Sequence, residues 1–125
     1  MKKILFVSKN KVFGQGLLAA IKTKPKLELE WLSQLNYSEA AIGMDVYHAD
    51  VVILDVMDVA VANQMQALCK TLREHNNAIR LLLLVRQDQP EIRSMAVKTK
   101  QTGIVDDFVF YDSSLAYLFA KLAAF

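Results

Sequence analysis

The sequence predicts an α/β fold: a five-stranded parallel sheet of order 2-1-3-4-5, with five helices distributed over both faces. Three observations carry this expectation. Strand-like and helix-like patterns alternate along the whole chain of 125 residues, with no linker, repeat or low-complexity segment between them. The third and fourth strand candidates are almost unbroken apolar runs, as strands covered on both faces must be. The second strand candidate alternates apolar and charged residues, which marks a half-exposed edge. Right-handed crossovers then set it beside the first strand, with the third on the other side.

Taken in order, Lys3–Ser8 (KILFVS) is a short β-branched and aromatic run. Val12–Lys22 follows, with Phe13, Leu17, Leu18 and Ile21 on one helical face. Leu27–Leu32 (LELEWL) puts Leu27, Leu29 and Trp31 on one side, Glu28 and Glu30 on the other. Ser38–Ala49 reads as a modest helix, with Asn36 and Glu39 at capping-box spacing. Val51–Asp55 and Ile79–Val85 are the two central strands, separated by a helix whose Val61, Met65, Leu68 and Leu72 recur at helical spacing. A fourth helix starts around Pro90, turns Ile92, Met95, Ala96 and Thr99 inward, and ends at Gly103. Asp107–Tyr111 is the fifth strand. Asp112 or Ser113 is expected to cap the last helix, whose buried stripe is Leu115, Leu118, Phe119 and Leu122.

Length and composition bound the rest. Residues 1–125 suit a single domain, one that buries roughly two thirds of its unfolded surface. Hydrophobic residues make up 54% with only two prolines and four glycines, so the chain is rich in regular structure. No apolar run reaches the roughly 18 residues of a membrane span, and no signal-peptide pattern opens the chain. Cys69 is the only cysteine, which fits a reducing compartment, and the expected location is the cytoplasm.

The net charge of +2 is unevenly spread. Lysines 2, 3, 9, 11, 22, 24 and 26 fall within the first 27 residues, which hold no acid. Short basic tracts can meet polyanions. These lysines are dispersed over a strand and both ends of a helix, so a solvated basic flank is the expectation.

The order 2-1-3-4-5 places a topological switch point between strands one and three, where ligands and chemistry gather outside the carboxyl ends of strands. Asp55 ends strand three and Ser8 ends strand one, so both fall there. Other chemical candidates are weaker. Asp58 suits a helix N-cap. Asp106 and Asp107 lie at the opposite end of the sheet and read as solvated loop acids. His48 and His75 have no second ligand at metal spacing. Gly14 and Gly16 lie inside a helix, whereas a dinucleotide fingerprint opens one. Cys69 has no activating charge and sits near a buried stripe.

With these residues in place, the chain resembles a response-regulator receiver domain, the phosphoacceptor module of two-component signalling. The resemblance runs over nearly the whole chain. It rests on DVVILD at 50–55, FGQGL at 13–17, RLLLLV at 80–85 and DDFVFYDSS at 106–114. It implies a single flavodoxin-like three-layer sandwich. It also implies a five-group site: two acids after strand one that hold Mg²⁺ with the acceptor Asp after strand three, a Ser or Thr after strand four, and a Lys after strand five. Phosphoryl transfer needs the cation to neutralise phosphoryl oxygens, and Mg²⁺ wants carboxylate ligands.

Only one of the five matches. Asp55 falls on the phosphoacceptor, while the acid positions read Ser8 and Lys9, the hydroxyl position Val85, and the lysine position Tyr111. Two unit charges about 4 Å apart at an effective dielectric near 20 interact by roughly 4 kcal/mol. A lysine turned into the crevice therefore attracts Asp55 and repels a divalent ion, and a Lys9–Asp55 ion pair is the expected local arrangement. The expectation is a degenerate receiver, or pseudo-receiver: no enzyme, no cofactor and no Mg²⁺, signalling through a protein partner or a homodimer without phosphorylation. DNA would be reached only through an output domain outside this chain. The alternatives are a phosphoaccepting regulator using Asp55, and a sensor of a small anionic ligand or nucleotide in the crevice between strands one and three, drawn there by Lys9 and Lys11. On the face that receivers use for output, Tyr111, Tyr117 and Phe125 are the candidate exposed aromatics.

Overall fold

The computed structural model describes residues 1–125. Five parallel strands, β1 (Lys2–Val7), β2 (Leu29–Gln34), β3 (Val51–Val56), β4 (Arg80–Val85) and β5 (Asp107–Phe110), form one sheet of order β2-β1-β3-β4-β5. Five helices connect and cover them: α1 (Lys11–Lys22), α2 (Ala40–Tyr47), α3 (Val59–His75), α4 (Pro90–Gln101) and α5 (Leu115–Ala124). The predicted architecture and strand order are those observed.

The sheet divides the apolar interior into two cores. One packs Leu5, Val52, Leu54, Leu81 and Leu83 against α2, α3 and α4 through Met44, Met65, Leu72 and Ile92. The other packs Ile4, Phe6, Ile53 and Leu82 against α1 and α5 through Leu17, Ile21, Leu118 and Phe119. Every residue of β3 is buried, so alternate side chains enter opposite cores and the apolar pattern has no polar phase until Asp55. Each fully buried Leu, Ile or Phe contributes roughly 1.5–3 kcal/mol relative to exposure, so these two layers dominate the stability of the fold.

Local chemistry fixes the helix ends. Asn10 and Asp58 cap α1 and α3 by accepting from the main-chain N–H of Phe13 and Val61. Gly103, at φ +77°, takes the left-handed turn that follows α4. The last helix is capped by Ser114, which accepts from Tyr117 N at 3.0 Å, and not by Asp112 or Ser113. Leu115 is the first residue of the helix and is 46% exposed, so it lies outside the buried stripe.

Two further boundaries differ from expectation. A 3₁₀ turn over Pro25–Leu27 and a left-handed Glu28 (φ 53°) delay β2 to Leu29. Proline at the start of that turn donates no ladder hydrogen bond, so the strand cannot begin there. The Asn36–Glu39 pair does not form a capping box. Tyr37–Glu39 is a 3₁₀ turn, and the two side chains bond only to each other, at 3.4 Å.

Asp106 and Asp107 are not solvated loop acids. Asp106 accepts from Arg73, Arg80 and the main-chain N–H of Leu81, while Asp107 pairs with Lys100 and Lys121. Below β5, α3, α4 and α5 converge, and their basic residues meet the acids that enter the strand.

Candidate functional site

The site is assembled where β1 and β3 end. β1 runs straight into Ser8, whose N–H still bonds Gln34 O of β2 at 3.0 Å, so the strand geometry persists one residue further. Alternation then turns Ser8 inward, where it is buried, and leaves Lys9 in solvent. The Ser8 hydroxyl accepts from Asn10 N at 3.0 Å, which orients it, and donates to Asp55 Oδ2 at 2.6 Å.

Asp55 is the fifth of six residues in β3, not the residue on which the strand surfaces, and it is only 1% exposed. Its second oxygen, Oδ1, accepts from the Tyr111 hydroxyl. Tyr111 follows β5 and is held by its own N–H to Val85 O at 2.9 Å, with its ring edge-on to Phe13 at 5.9 Å. A third hydroxyl, that of Tyr37, donates to the main-chain carbonyl of Asp55. The carboxylate and the peptide carbonyl of one residue are thus held by three hydroxyls from three different connections.

Lys9 does not pair with Asp55. Its ammonium lies over the Tyr37 ring, 5.7 Å from the centroid, a cation–π contact outside the buried acid. The expected ion pair fails because Asp55 is deeper than the end of the strand, and a lysine reaching it would bury its own charge. Val85, at the hydroxyl position, is fully buried in the core beside α2, α3 and α4.

The electrostatics follow from this burial. Asp55 is pushed above the usual carboxylate value of 3.8 by desolvation, against which the Ser8 and Tyr111 hydroxyls act in part. Burial raises both Tyr37 and Tyr111 above the ordinary phenol range, followed by the charge of Asp55 for Tyr37 and by the hydrogen bond to Asp55, then its charge, for Tyr111. Both phenols therefore stay protonated and serve as donors at neutral pH. Cys69 is buried under α3 with its thiol pushed up to about 12, first by desolvation, consistent with an unreactive core residue.

A Mg²⁺ ion does not fit this donor set. No three acids, histidines or cysteines come together here, both oxygens of Asp55 already accept hydroxyl hydrogens, and the residues that end β1 are a serine and a lysine. A hard divalent ion calls for several oxygen ligands in near-octahedral array. Its pull would also have to displace Tyr111 before any ligand sphere could form.

Tyr37 is the residue that sequence reasoning missed. The signal was the topology: the connection after β2 must emerge at the same end of the sheet as Ser8 and Asp55, so a hydroxyl there is within reach of the site. The three aromatics expected on one face also separate. Tyr111 is 38% exposed and committed to Asp55; Tyr117 is 50% exposed on α5 beside Lys121. Phe125 lies at the far end of α5, packed on the second core and under Arg80 at 6.0 Å. Because α5 runs antiparallel to the strands, its last residue faces the amino ends of the sheet, where Lys2 donates to the carbonyls of Leu122 and Ala123.

The chain matches no family model and no curated protein. Solved structures do match it closely in shape. A receiver domain of the Francisella response regulator 1452 is 18% identical at a TM-score of 0.77, over 99% of this chain and 95% of that one. A response-regulator receiver domain protein from Clostridium thermocellum reaches 0.80 at 13% identity, over 99% and 93%. A DNA-binding response regulator of the LuxR family from Staphylococcus aureus reaches 0.74 at 20% identity, over 98% and 99%. The likeness spans nearly the whole of each chain, and this chain has the flavodoxin-like α/β fold of these receiver domains.

Proposed function

We propose that this domain is a pseudo-receiver: a response-regulator-like signalling module that acts through protein–protein contact, without phosphoryl transfer to Asp55. One observation carries the reading. Asp55, the acid at the phosphoacceptor position, is 1% exposed, and each of its oxygens is capped by a hydroxyl, Ser8 on one and Tyr111 on the other. A carboxylate that is to attack phosphorus must present a free oxygen in line with a phosphodonor and have cation charge beside it. Here the approach is filled by Tyr111, and Lys9, the residue after Ser8, is exposed to solvent.

In this reading Asp55 is a structural acid and the domain is not an enzyme. The partner-facing surface is that of α4, β5 and α5, where half-exposed Tyr117 lies against Lys121, and Lys100 and Lys121 flank Asp107. A protein partner or a second copy of the domain would dock there. DNA would be engaged only through a separate output domain, as the likeness to a DNA-binding regulator suggests. No helix is long and apolar enough to cross a membrane, and a single buried free thiol suits the cytoplasm.

Incubation with acetyl phosphate and Mg²⁺, followed by intact-mass measurement, tests the reading. The expected outcome is an unmodified chain, with Tyr111→Ala unmodified as well because the metal ligands are still lacking. A stoichiometric phosphoryl adduct on Asp55 of the native protein would establish the alternative, a phosphoaccepting regulator.

A further inference from the structure

β2 has a strand partner on one side only, β1, and forms an edge of the sheet. We propose that its free edge pairs antiparallel with β2 of a second copy of this chain, about a two-fold axis at Leu32. Two five-stranded sheets then become one continuous sheet. The pairing does not depend on the role of Asp55, and it leaves the face of α4, β5 and α5 open.

Main-chain groups call for a strand as the occupant. Glu28 O and Gln34 O accept from Lys2 N and Ser8 N at the two ends of β1. Even-numbered residues of β2 therefore bond to β1, and alternation points the N–H and C=O of Leu29, Trp31 and Ser33 away from it. No strand of the chain pairs on that side. Edge strands are commonly blunted by lysine, proline or a bulge. β2 (LEWLSQ) contains neither residue and keeps an unbroken register against β1.

Side chains along the same edge are apolar and uncovered. Leu32 lies opposite Leu5, which enters the core beneath α2, so Leu32 points to the α2 side of the sheet, yet it is 43% exposed. α2 sits close by: a Cβ on Gly43 would lie 3.5 Å from Gln34 Nε2 and 3.6 Å from Leu5 Cδ2. One turn apart on the outward side of α2 stand Ile42 and Val46, 65% and 76% exposed. β-branched residues gain little at an exposed helix position on propensity alone.

Complementarity selects a second copy and one register. Centred on Leu32, the antiparallel pair sets Leu32 against its own counterpart, Leu29 against Leu35 and Glu30 against Gln34. Apolar then meets apolar, and the carboxylate meets an amide donor. Centring on Glu30 would set two carboxylates face to face, and centring on Trp31 would set Glu30 against Leu32. Glu30 and Lys9 each enter no ion pair within the chain. Lys3, which neighbours Glu30 on β1, is turned over the Tyr47 ring. Antiparallel pairing carries Glu30 of one copy toward the end of β1 in the other, where Lys9 is exposed.

Sedimentation equilibrium of the native chain, with two kinds of variant, tests the proposal. The expected result is a dimer that predominates at about 100 μM. Leu32→Lys sets two ammonium groups together on the axis and should weaken it at least about tenfold, with circular dichroism showing the fold retained. Leu32→Cys reads the register: at a non-hydrogen-bonded antiparallel pair the Cα atoms are about 4.5 Å apart, within disulfide reach. Cys69 is buried and does not compete. Mild oxidation should link Leu32→Cys into covalent dimers and leave Glu30→Cys unlinked; should Leu32→Lys not fold, these two variants decide. A native chain that stays monomeric up to about 500 μM overturns the proposal. So does a dimer that Leu32→Lys leaves intact, or one that Glu30→Cys cross-links in preference to Leu32→Cys.

Discussion

Replacing Asp55 by Asn tests the electrostatics of the site most directly, because it keeps the shape and removes the charge. In the native chain the carboxylate accepts from Ser8 and Tyr111 at 1% exposure. An Asn side chain would retain one acceptor oxygen, and the hydroxyl facing its amide could rotate to accept instead, since a hydroxyl is both donor and acceptor. Two opposed terms then decide the sign. A hydrogen bond to a charged group is worth about 1.5–3 kcal/mol against about 1 for a neutral one, so the exchange weakens both contacts. Against this, every pKa unit by which burial lifts the acid is about 1.4 kcal/mol of penalty on its charged form. Burial is the largest influence on Asp55 and its net direction is upward, so relief of the charge wins.

A raised folded-state pKa means that the contribution of Asp55 to stability is fully present below the unfolded value near 3.8 and is lost as pH rises through the folded value. Asp55→Asn does not titrate, so its stability relative to the native chain should climb through that window and then level off. The gain at neutral pH should be on the order of 1 kcal/mol. Urea unfolding followed by circular dichroism at a series of pH values from about 3 upward measures it. A variant that loses stability relative to the native chain as pH rises would refute the reasoning, because it would mean that the fold favours the charged carboxylate.

Three other outcomes are expected. Ser8→Ala removes the 2.6 Å bond to Asp55 and should destabilise the chain at neutral pH by about 1.5–3 kcal/mol, measured by the same urea titration. Asp58→Ala removes the acceptor for Val61 N, 2.8 Å away, and should cost about 1 kcal/mol with no effect on the titration of Asp55. Cys69, buried with its thiol pushed up to about 12, should resist a thiol-reactive disulfide reagent in the native state; its labelling rate should rise with urea in step with unfolding.

The sheet was legible in the sequence because each strand carries its own evidence of burial. β3 and β4 are apolar on both phases, and β2 alternates, so centre and edge can be told apart before any coordinate is known. The position of Asp55 at the switch point follows from that order alone. What escaped is the direction of side chains just past the strand ends. Whether Ser8 or Lys9 turns inward depends on β1 keeping its ladder with β2 for one residue beyond Val7, which is a tertiary fact. The three hydroxyls that meet at Asp55 come from connections after β1, β2 and β5, far apart in sequence and brought together only by the crossovers. The pairing of Asp106 with Arg73 and Arg80 is equally non-local, and no local pattern distinguishes such an acid from a solvated one.

Trp31, Phe6, Phe13 and Tyr111 stand in an unbroken row, with centroid separations of 5.3, 5.7 and 5.9 Å. Rings do not compress, and each is clamped by its neighbour, so none can rotate freely about its own axis without the others making room. The edge strand and the loop that follows β5 are therefore linked through these rings, and the flip rate of Phe13, caught in the middle, is a gauge of how tightly.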